Sequence, residues 1–284
     1  GGFAWIAANG VRILVQNVDG VVAVGLLSAG WGLGQRISSV IAMVCTAAAF
    51  PLAVDRMEAG DRDGALHQVA INGALMFALL APASVGLALL AGPLVDLLIA
   101  ADYREITRVV MPLAMVAGAV RTLRMHTADQ VCLLLDRTRV SMLSNFADAA
   151  MATLCAVIGI YLDDIVGAAA GSLVGTLIAS AGSIAYAAAR MRLRLDFSVW
   201  ARIAAASAAM ALALRLVPAP AGIVAIAAHI VLGALVYALA LLALMPGLRA
   251  AIGGRLSRRR GAAVLDSPSP MAENDVSRPG ADPE

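Results

Sequence analysis

Long apolar stretches alternate with short polar segments along most of the chain. Eight stretches are candidates for membrane-spanning helices: residues 3–18, 26–50, 69–91, 109–135, 140–162, 165–189, 199–217 and 223–245. A bilayer core about 30 Å thick needs roughly 20 apolar residues per helix. Because the runs are continuous, they indicate helices rather than the alternating strands of a barrel. The predicted fold class is an all-α integral membrane protein, a bundle of about eight transmembrane helices.

Proline and charged residues separate the predicted helices. Pro51 follows the second helix, and Asp163 and Asp164 mark the end of the fifth. Pro82 predicts a kink within the third helix. The charged segment "VDRMEAGDRDGALHQ" is predicted to be a loop, and "GPLVDLLIAADYRE" a short amphipathic segment that returns to the membrane surface.

The two ends of the chain differ from its middle. The sequence begins "GGFAWIAANG", and the first apolar run is short, so we expect that an N-terminal part is missing. After Pro246 the chain is first arginine-rich and then has the composition of a disordered segment. We therefore predict a transmembrane bundle over residues 1–246 and a cytoplasmic tail, basic and then disordered, over residues 247–284.

The distribution of arginine in the loops predicts the orientation. All 21 basic residues are arginine. With a cytoplasmic N-terminus, twelve arginines lie on the cytoplasmic side and three on the other: Arg56, Arg62, Arg137, Arg139, Arg190, Arg192, Arg194, Arg249, Arg255, Arg258, Arg259 and Arg260 against Arg104, Arg108 and Arg215. Because cytoplasmic loops are enriched in basic residues, both termini are predicted to be cytoplasmic.

Composition agrees with this class and excludes several others. The chain is 61% hydrophobic and 14% charged, whereas soluble domains carry about 25% charged residues. The three cysteines lie in apolar segments without metal-binding spacing, which is typical of buried packing residues. The sequence contains no catalytic motif and no phosphate-binding glycine loop. We therefore expect no enzymatic activity, no cofactor, no metal and no nucleic-acid partner.

A stripe of small residues marks the sixth predicted helix. Its members recur every four residues: Gly167, Gly171, Gly175, Ala179 and Ser183. Such a stripe lets the backbone of another helix approach closely. We predict that this face packs against a neighbouring helix.

Ionisable residues inside the predicted spans are the main candidates for function, because each is costly in a membrane unless it meets water or a partner. They are Arg12, Arg36, Arg121, Arg124, His126, Asp129 and Asp148. Arginines outnumber the aspartates, which predicts a cationic, water-filled cavity. A second interpretation is equally open: Arg121 pairs with Asp148 and holds two helices together, and His126 is a buried hydrogen-bonding group.

Two segments resemble a known transporter family. The first, "GLLSAGWGLGQRISSVIAMVCTAAAFPLAVDRMEAGDRDGAL", and the second, "AGPLVDLLIAADYREI", are similar to motifs of the polysaccharide transporter branch of the multidrug/oligosaccharidyl-lipid/polysaccharide flippase superfamily. This chain departs from the motifs at Ala100 and Ala101, where a glycine is usual, and at Leu26, where tyrosine is frequent. The resemblance covers residues 3–245 and implies the C-terminal lobe of a flippase with twelve to fourteen helices.

The resemblance also implies a function. Members flip undecaprenyl-pyrophosphate-linked oligosaccharides across the bacterial inner membrane for O-antigen, capsule or exopolysaccharide synthesis. The implied partners are the lipid-linked oligosaccharide, membrane lipids and the missing N-terminal lobe. In the cationic cavity, Arg12, Arg36, Arg121 and Arg124 would bind pyrophosphate. The relay that couples transport to an ion would be His126, Asp129 and Asp148.

Four alternatives stay open. One is a lipid-II-type flippase, and another is a purely structural membrane subunit, which would not need arginines in the middle of its spans. A drug/cation antiporter of the same superfamily should favour acidic and aromatic cavity residues, whereas aromatic residues are 4% of this chain. A polymerase or ligase subunit of surface-polysaccharide synthesis would need a large loop outside the membrane, and the predicted loops on that side are short.

Overall fold

The structure is a bundle of long apolar helices. The computed structural model describes Ser28, Trp31, Gly32, residues 34–247 and Arg249. Within these residues six helical segments are long and apolar enough to cross a membrane. The helices are α1 (Gly34–Glu58), α2 (Arg62–Leu98), α3 (Arg104–Met125), α4 (Ala128–Leu134), α5 (Thr138–Met191), α6 (Phe197–Arg215) and α7 (Ile223–Leu244), with a 3₁₀ turn at Ala101–Tyr103.

Several of the predicted features lie outside the described residues. They are the first span at residues 3–18, Arg12, and the tail beyond Arg249. The predicted loop "VDRMEAGDRDGALHQ" is shorter than expected, because α1 continues to Glu58 and α2 begins at Arg62. The segment predicted to return to the surface is also helical, since α2 passes through Pro93 and ends at Leu98.

Helix α5 is a hairpin of two arms, residues 138–162 and 165–191. Asp163 and Asp164 have non-helical backbone angles, and Asp164 has a φ of 43°. Asp163 and Asp164 therefore end the fifth predicted span, as the sequence indicates. The sixth span begins at Ile165 and runs back along the first arm.

The small-residue stripe on the second arm lies against the first arm, as predicted. A methyl group placed on Gly171 would overlap the backbone carbonyl of Cys155, and one on Gly175 would overlap that of Met151. Because these partners run backwards along the chain, the arms are antiparallel. Glycine is needed at these positions because any side chain would push the two backbones apart.

The predicted fourth span, residues 109–135, is not one continuous helix. It breaks at His126 and Thr127 into α3 and α4, and Thr127 has a φ of −123° and a ψ of −77°. The hydroxyl of Thr127 donates to the carbonyl of Leu123 at 2.6 Å, in competition with the regular helical hydrogen bonds. An ion pair across the break, between Arg124 and Asp129, also favours it. In an unbroken helix, residues five apart would lie about 140° from each other around the axis.

Helix α3 is the central packing element of the described bundle. It lies against α2 on one side and the α5 hairpin on another. α1 runs alongside it in the same direction, because Gly34 meets the backbone of Met111 and Thr46 meets His126. α7 is peripheral, with Ile226 and Gly233 as its buried residues.

Candidate functional site

Four charged side chains meet where α3, α4 and the α5 hairpin converge. Arg124 is fully buried, with 0% of its side chain exposed. Its Nη1 lies 3.0 Å from Oδ2 of Asp129, and its Nη2 lies 3.5 Å from Oδ2 of Asp148. The Nη2 group also donates to Oδ1 of Asn145 at 3.0 Å. The guanidinium of Arg124 thus bridges two carboxylates and an amide.

Arg121 completes this arrangement one turn earlier on α3. Its Nε lies 2.6 Å from Oδ2 of Asp148, and its Nη2 donates to the hydroxyl of Thr176 at 2.9 Å. Asn145 in turn donates to Oδ2 of Asp129 at 3.2 Å. We call Arg121, Arg124, Asp129, Asp148, Asn145 and Thr176 the charge cluster. With two arginines and two aspartates, its formal charge is zero when all four are ionised.

Local structure explains how the charge cluster forms. Arg121 and Arg124 lie three residues apart and therefore share one face of α3. Asn145 and Asp148 have the same spacing on the first arm of the hairpin. The break after α3 turns α4 so that the carboxylate of Asp129 returns to Arg124. The charge cluster consequently connects α3 and α4 to both arms of α5.

The location of Arg124 differs from the sequence prediction. The sequence predicts that Arg124 faces a cationic, water-filled cavity, with too few acids nearby to neutralise the arginines. In the structure it is enclosed by its own bundle, and the two carboxylates balance the charges of Arg121 and Arg124. The second interpretation from the sequence, an ion pair of Arg121 with Asp148 that joins two helices, describes the observed contact. Arg121 keeps 17% of its side chain exposed.

Arg36 has a different environment. It lies on α1 and is exposed, and its side chain makes no hydrogen bond or ion pair with any residue in the described part of the chain. Its neighbours attach α1 to α3, since Gln35 donates to the carbonyl of Ala114 and Ser38 to that of Met115. The structure therefore brings Arg121 and Arg124 together and leaves Arg36 apart from them.

A groove between α1 and α3 contains the predicted residue His126. The groove has a volume of about 550 Å³ and is lined by Ser39, Ala42, Met43, Thr46, Ala47, Thr122, Met125 and His126. The Nδ1 atom of His126 lies 2.8 Å from the hydroxyl of Thr46 and 3.3 Å from Nε2 of Gln130. His126 thus belongs to this α1–α3 groove, whereas Asp129 and Asp148 belong to the charge cluster.

The residues that sequence reasoning missed are the uncharged partners: Asn145, Thr176, Thr46 and Gln130. Asn145 could have been found, because it lies three residues before Asp148 in a predicted span. Thr176 carries no comparable signal, since its role depends on how the hairpin closes. Among the described residues no group of three or more His, Cys, Asp or Glu side chains could hold a metal ion.

The fold is similar to that of a solved membrane protein, the lipid II flippase MurJ in an inward closed conformation. The match has a TM-score of 0.61 at 12% sequence identity and covers 84% of this chain. It covers 52% of the other chain, so this chain spans about half the length of that structure. No family model and no curated protein sequence matches the chain. At this identity the similarity concerns the fold.

Proposed function

We propose that the chain forms one lobe of a membrane flippase that translocates a lipid-linked oligosaccharide. The observation that carries this proposal is the similarity of its fold, over 84% of the chain, to about half of a protein named as a lipid II flippase. The proposed cargo is an undecaprenyl-pyrophosphate-linked oligosaccharide for surface polysaccharide, crossing the bacterial inner membrane. The sequence motifs quoted above support this cargo.

Two surfaces of the bundle fit such a transporter. The α1–α3 groove is open and carries hydroxyl and imidazole groups that can bond to sugar hydroxyls. Arg36 lies one turn before Ser39 on the exposed side of α1, and its guanidinium has no partner among the residues that the structure describes. Its planar donors match phosphate oxygens, so Arg36 is the proposed contact for pyrophosphate.

The charge cluster has a supporting role in this proposal. Arg124 does not contact the cargo in this proposal, because its guanidinium already bridges Asp129 and Asp148. It affects transport only by holding the surrounding helices in place. Arg121 has a partly exposed edge from which it could also meet the cargo. Arg12, which lies outside the described residues, stays a proposed contact for pyrophosphate on the basis of the sequence. Asp129, Asp148 and His126 stay candidates for the coupling relay.

The groove also bears on the drug/cation antiporter alternative. A pathway for cationic drugs should expose carboxylates, since a cation needs negative partners in a membrane. None of the residues that line the α1–α3 groove is acidic, and on α1 the cationic Arg36 lies one turn before the lining residue Ser39. The groove therefore favours anionic or neutral cargo.

Export of surface polysaccharide by cells with the full-length protein tests the proposal. We expect Arg36→Ala to lower export on the order of tenfold, because one charge-assisted hydrogen bond contributes about 1.5–3 kcal/mol. Arg36→Lys should retain part of the export, since its charge remains. The control is Arg215→Ala, an exposed arginine at the end of α6. Normal export by Arg36→Ala at equal protein level would refute the role of Arg36.

A further inference from the structure

Two adjoining cavities lie at the end of the bundle where α1 ends, α2 begins and α5 ends. The larger, about 530 Å³, is lined by Gly60, Asp61, Arg62, Asp63 and Arg192. The smaller, about 250 Å³, is lined by Asp63, His67, Arg192 and Arg194. They share Asp63 and Arg192 and together form what we call the arginine pocket.

The segment between α5 and α6 presents two of the arginines. Leu193 is 2% exposed and packs in an apolar cluster that includes Ala53 and Leu66. Arg192 and Arg194, on either side of it, are exposed. The alternation of buried leucine with exposed arginine fixes both guanidiniums on the outer side of this short connection.

The backbone at Arg192 is in an unusual conformation for an arginine. Its φ of 60° places it in the left-handed region at the C-terminal cap of α5. Glycine is the usual residue at such a cap, because a side chain there is strained. Backbone geometry therefore does not favour an arginine at this position.

The charged side chains that line the arginine pocket favour the binding of an anion. Arg62, Arg192 and Arg194 make no side-chain hydrogen bond or ion pair within the described ranges. The carboxylate of Asp61 already accepts the backbone N–H of Gly64 at 2.9 Å. Three guanidiniums and the exposed imidazole of His67 therefore face two carboxylates, those of Asp61 and Asp63, so the lining has a formal charge of +1 with His67 neutral.

The position of the pocket at one end of the bundle indicates the source of the anion. It lies at the ends of three helices long enough to cross a membrane. Phe197, at the start of α6, is 75% exposed at the same end, and an exposed apolar ring there is suited to contact with lipid. A phosphate presented at this level belongs to a phospholipid of the bilayer.

We infer that the arginine pocket binds the phosphate of an anionic phospholipid headgroup, with Arg192 and Arg194 as its main donors. The guanidiniums of Arg192 and Arg194, on either side of the buried Leu193, can both donate hydrogen bonds to the oxygens of one phosphate. Arg62 and His67 also line the proposed phosphate site and can donate further hydrogen bonds to it. This site lies apart from the charge cluster and the α1–α3 groove, and it does not depend on the proposed transport activity.

Native mass spectrometry of the full-length protein in neutral detergent, titrated with phosphatidylglycerol or phosphatidylcholine, tests the inference. Wild-type protein should bind phosphatidylglycerol more tightly. Arg192→Gly should weaken this binding about fivefold, and Arg192→Gly with Arg194→Gln about 25-fold, because each basic residue near an anionic lipid surface contributes about a factor of five. Since glycine relieves the strain at φ 60°, Arg192→Gly should melt no lower than the wild type.

Arg215→Gln, at the other end of α6, is the matched control and should bind as the wild type does. Inorganic phosphate at millimolar concentration should not displace the lipid. Three results would each overturn the inference: unchanged phosphatidylglycerol binding in the double variant, equal binding of phosphatidylcholine, or displacement by free phosphate.

Discussion

Arg124 is a fully buried cation whose charge is balanced inside the bundle. Burying a guanidinium is costly unless carboxylates and hydrogen-bond acceptors surround it, and Asp129, Asp148 and Asn145 supply both. Such an arrangement gives little net stability compared with apolar packing. Removing one member, however, leaves the others buried and unpaired. Loss of Arg124 should therefore lower the stability of the fold, whereas loss of the exposed Arg36 should not.

Arg124→Ala should therefore destabilise the folded protein by about 3–5 kcal/mol, because Asp129 and Asp148 would lose a shared cationic partner. Arg36→Ala should change the free energy of unfolding by about 0.5 kcal/mol or less, since its side chain is exposed. Thermal unfolding of the full-length variants in detergent measures both. An Arg124→Ala protein that melts like the wild type but does not transport would instead place Arg124 in contact with cargo.

At the scale of helices, the sequence predicts what depends on local pattern and misses what depends on tertiary contact. The turn at Asp163–Asp164 and the close face at Gly167, Gly171 and Gly175 follow from residue type and spacing. The break at His126–Thr127 does not, because the segment between Arg121 and Leu135 contains no glycine or proline that would mark it. It forms where Asp129 can reach Arg124, a contact that only the assembled bundle provides.

The same limit explains the candidate site. Sequence reasoning identified the four charged members of the charge cluster, since ionisable residues in apolar spans are few. It placed them toward a cavity because helix periodicity gives a shared face and not the identity of the neighbouring helix. The carboxylates of Asp129 and Asp148 come from two further elements, and their approach to Arg124 depends on the break and on the hairpin.

Gly171→Leu should separate the arms of the α5 hairpin, because its side chain would meet the backbone of Cys155 and Ala156. We expect a loss of about 3 kcal/mol in the free energy of unfolding, at the upper end for overpacked cores. Val174→Leu is the matched control, since Val174 lies on the same arm and is 48% exposed. Folded yield by size-exclusion chromatography compares the two, and equal tolerance would mean that the arms do not pack as described.

At the scale of the whole molecule, the arrangement of charged ends predicts the orientation in the membrane. The arginine pocket and Arg137 with Arg139 lie at ends that the arginine distribution assigns to the cytoplasm. The turn between α6 and α7 follows Arg215, the last residue of α6, and the arginine distribution assigns it to the other side.

Reporter fusions to the full-length protein check this orientation. A reporter active only outside the cytoplasm should be silent when fused after Arg260 and active when placed in the turn between Pro218 and Gly222, because the arginine-rich side is predicted to be cytoplasmic. The reverse pattern of activity would invert the orientation of every helix.

The central claim, that the chain is one lobe of a flippase for lipid-linked oligosaccharide, is tested most directly by reconstitution. The full-length protein is placed in liposomes with a polyprenyl-pyrophosphate-linked fluorescent disaccharide, and a membrane-impermeant quencher reports which leaflet holds it. The account predicts translocation that exceeds protein-free liposomes and falls on the order of tenfold in Arg36→Ala. Liposomes that leave the disaccharide in its leaflet, yet exchange a cationic dye across the membrane, would contradict it.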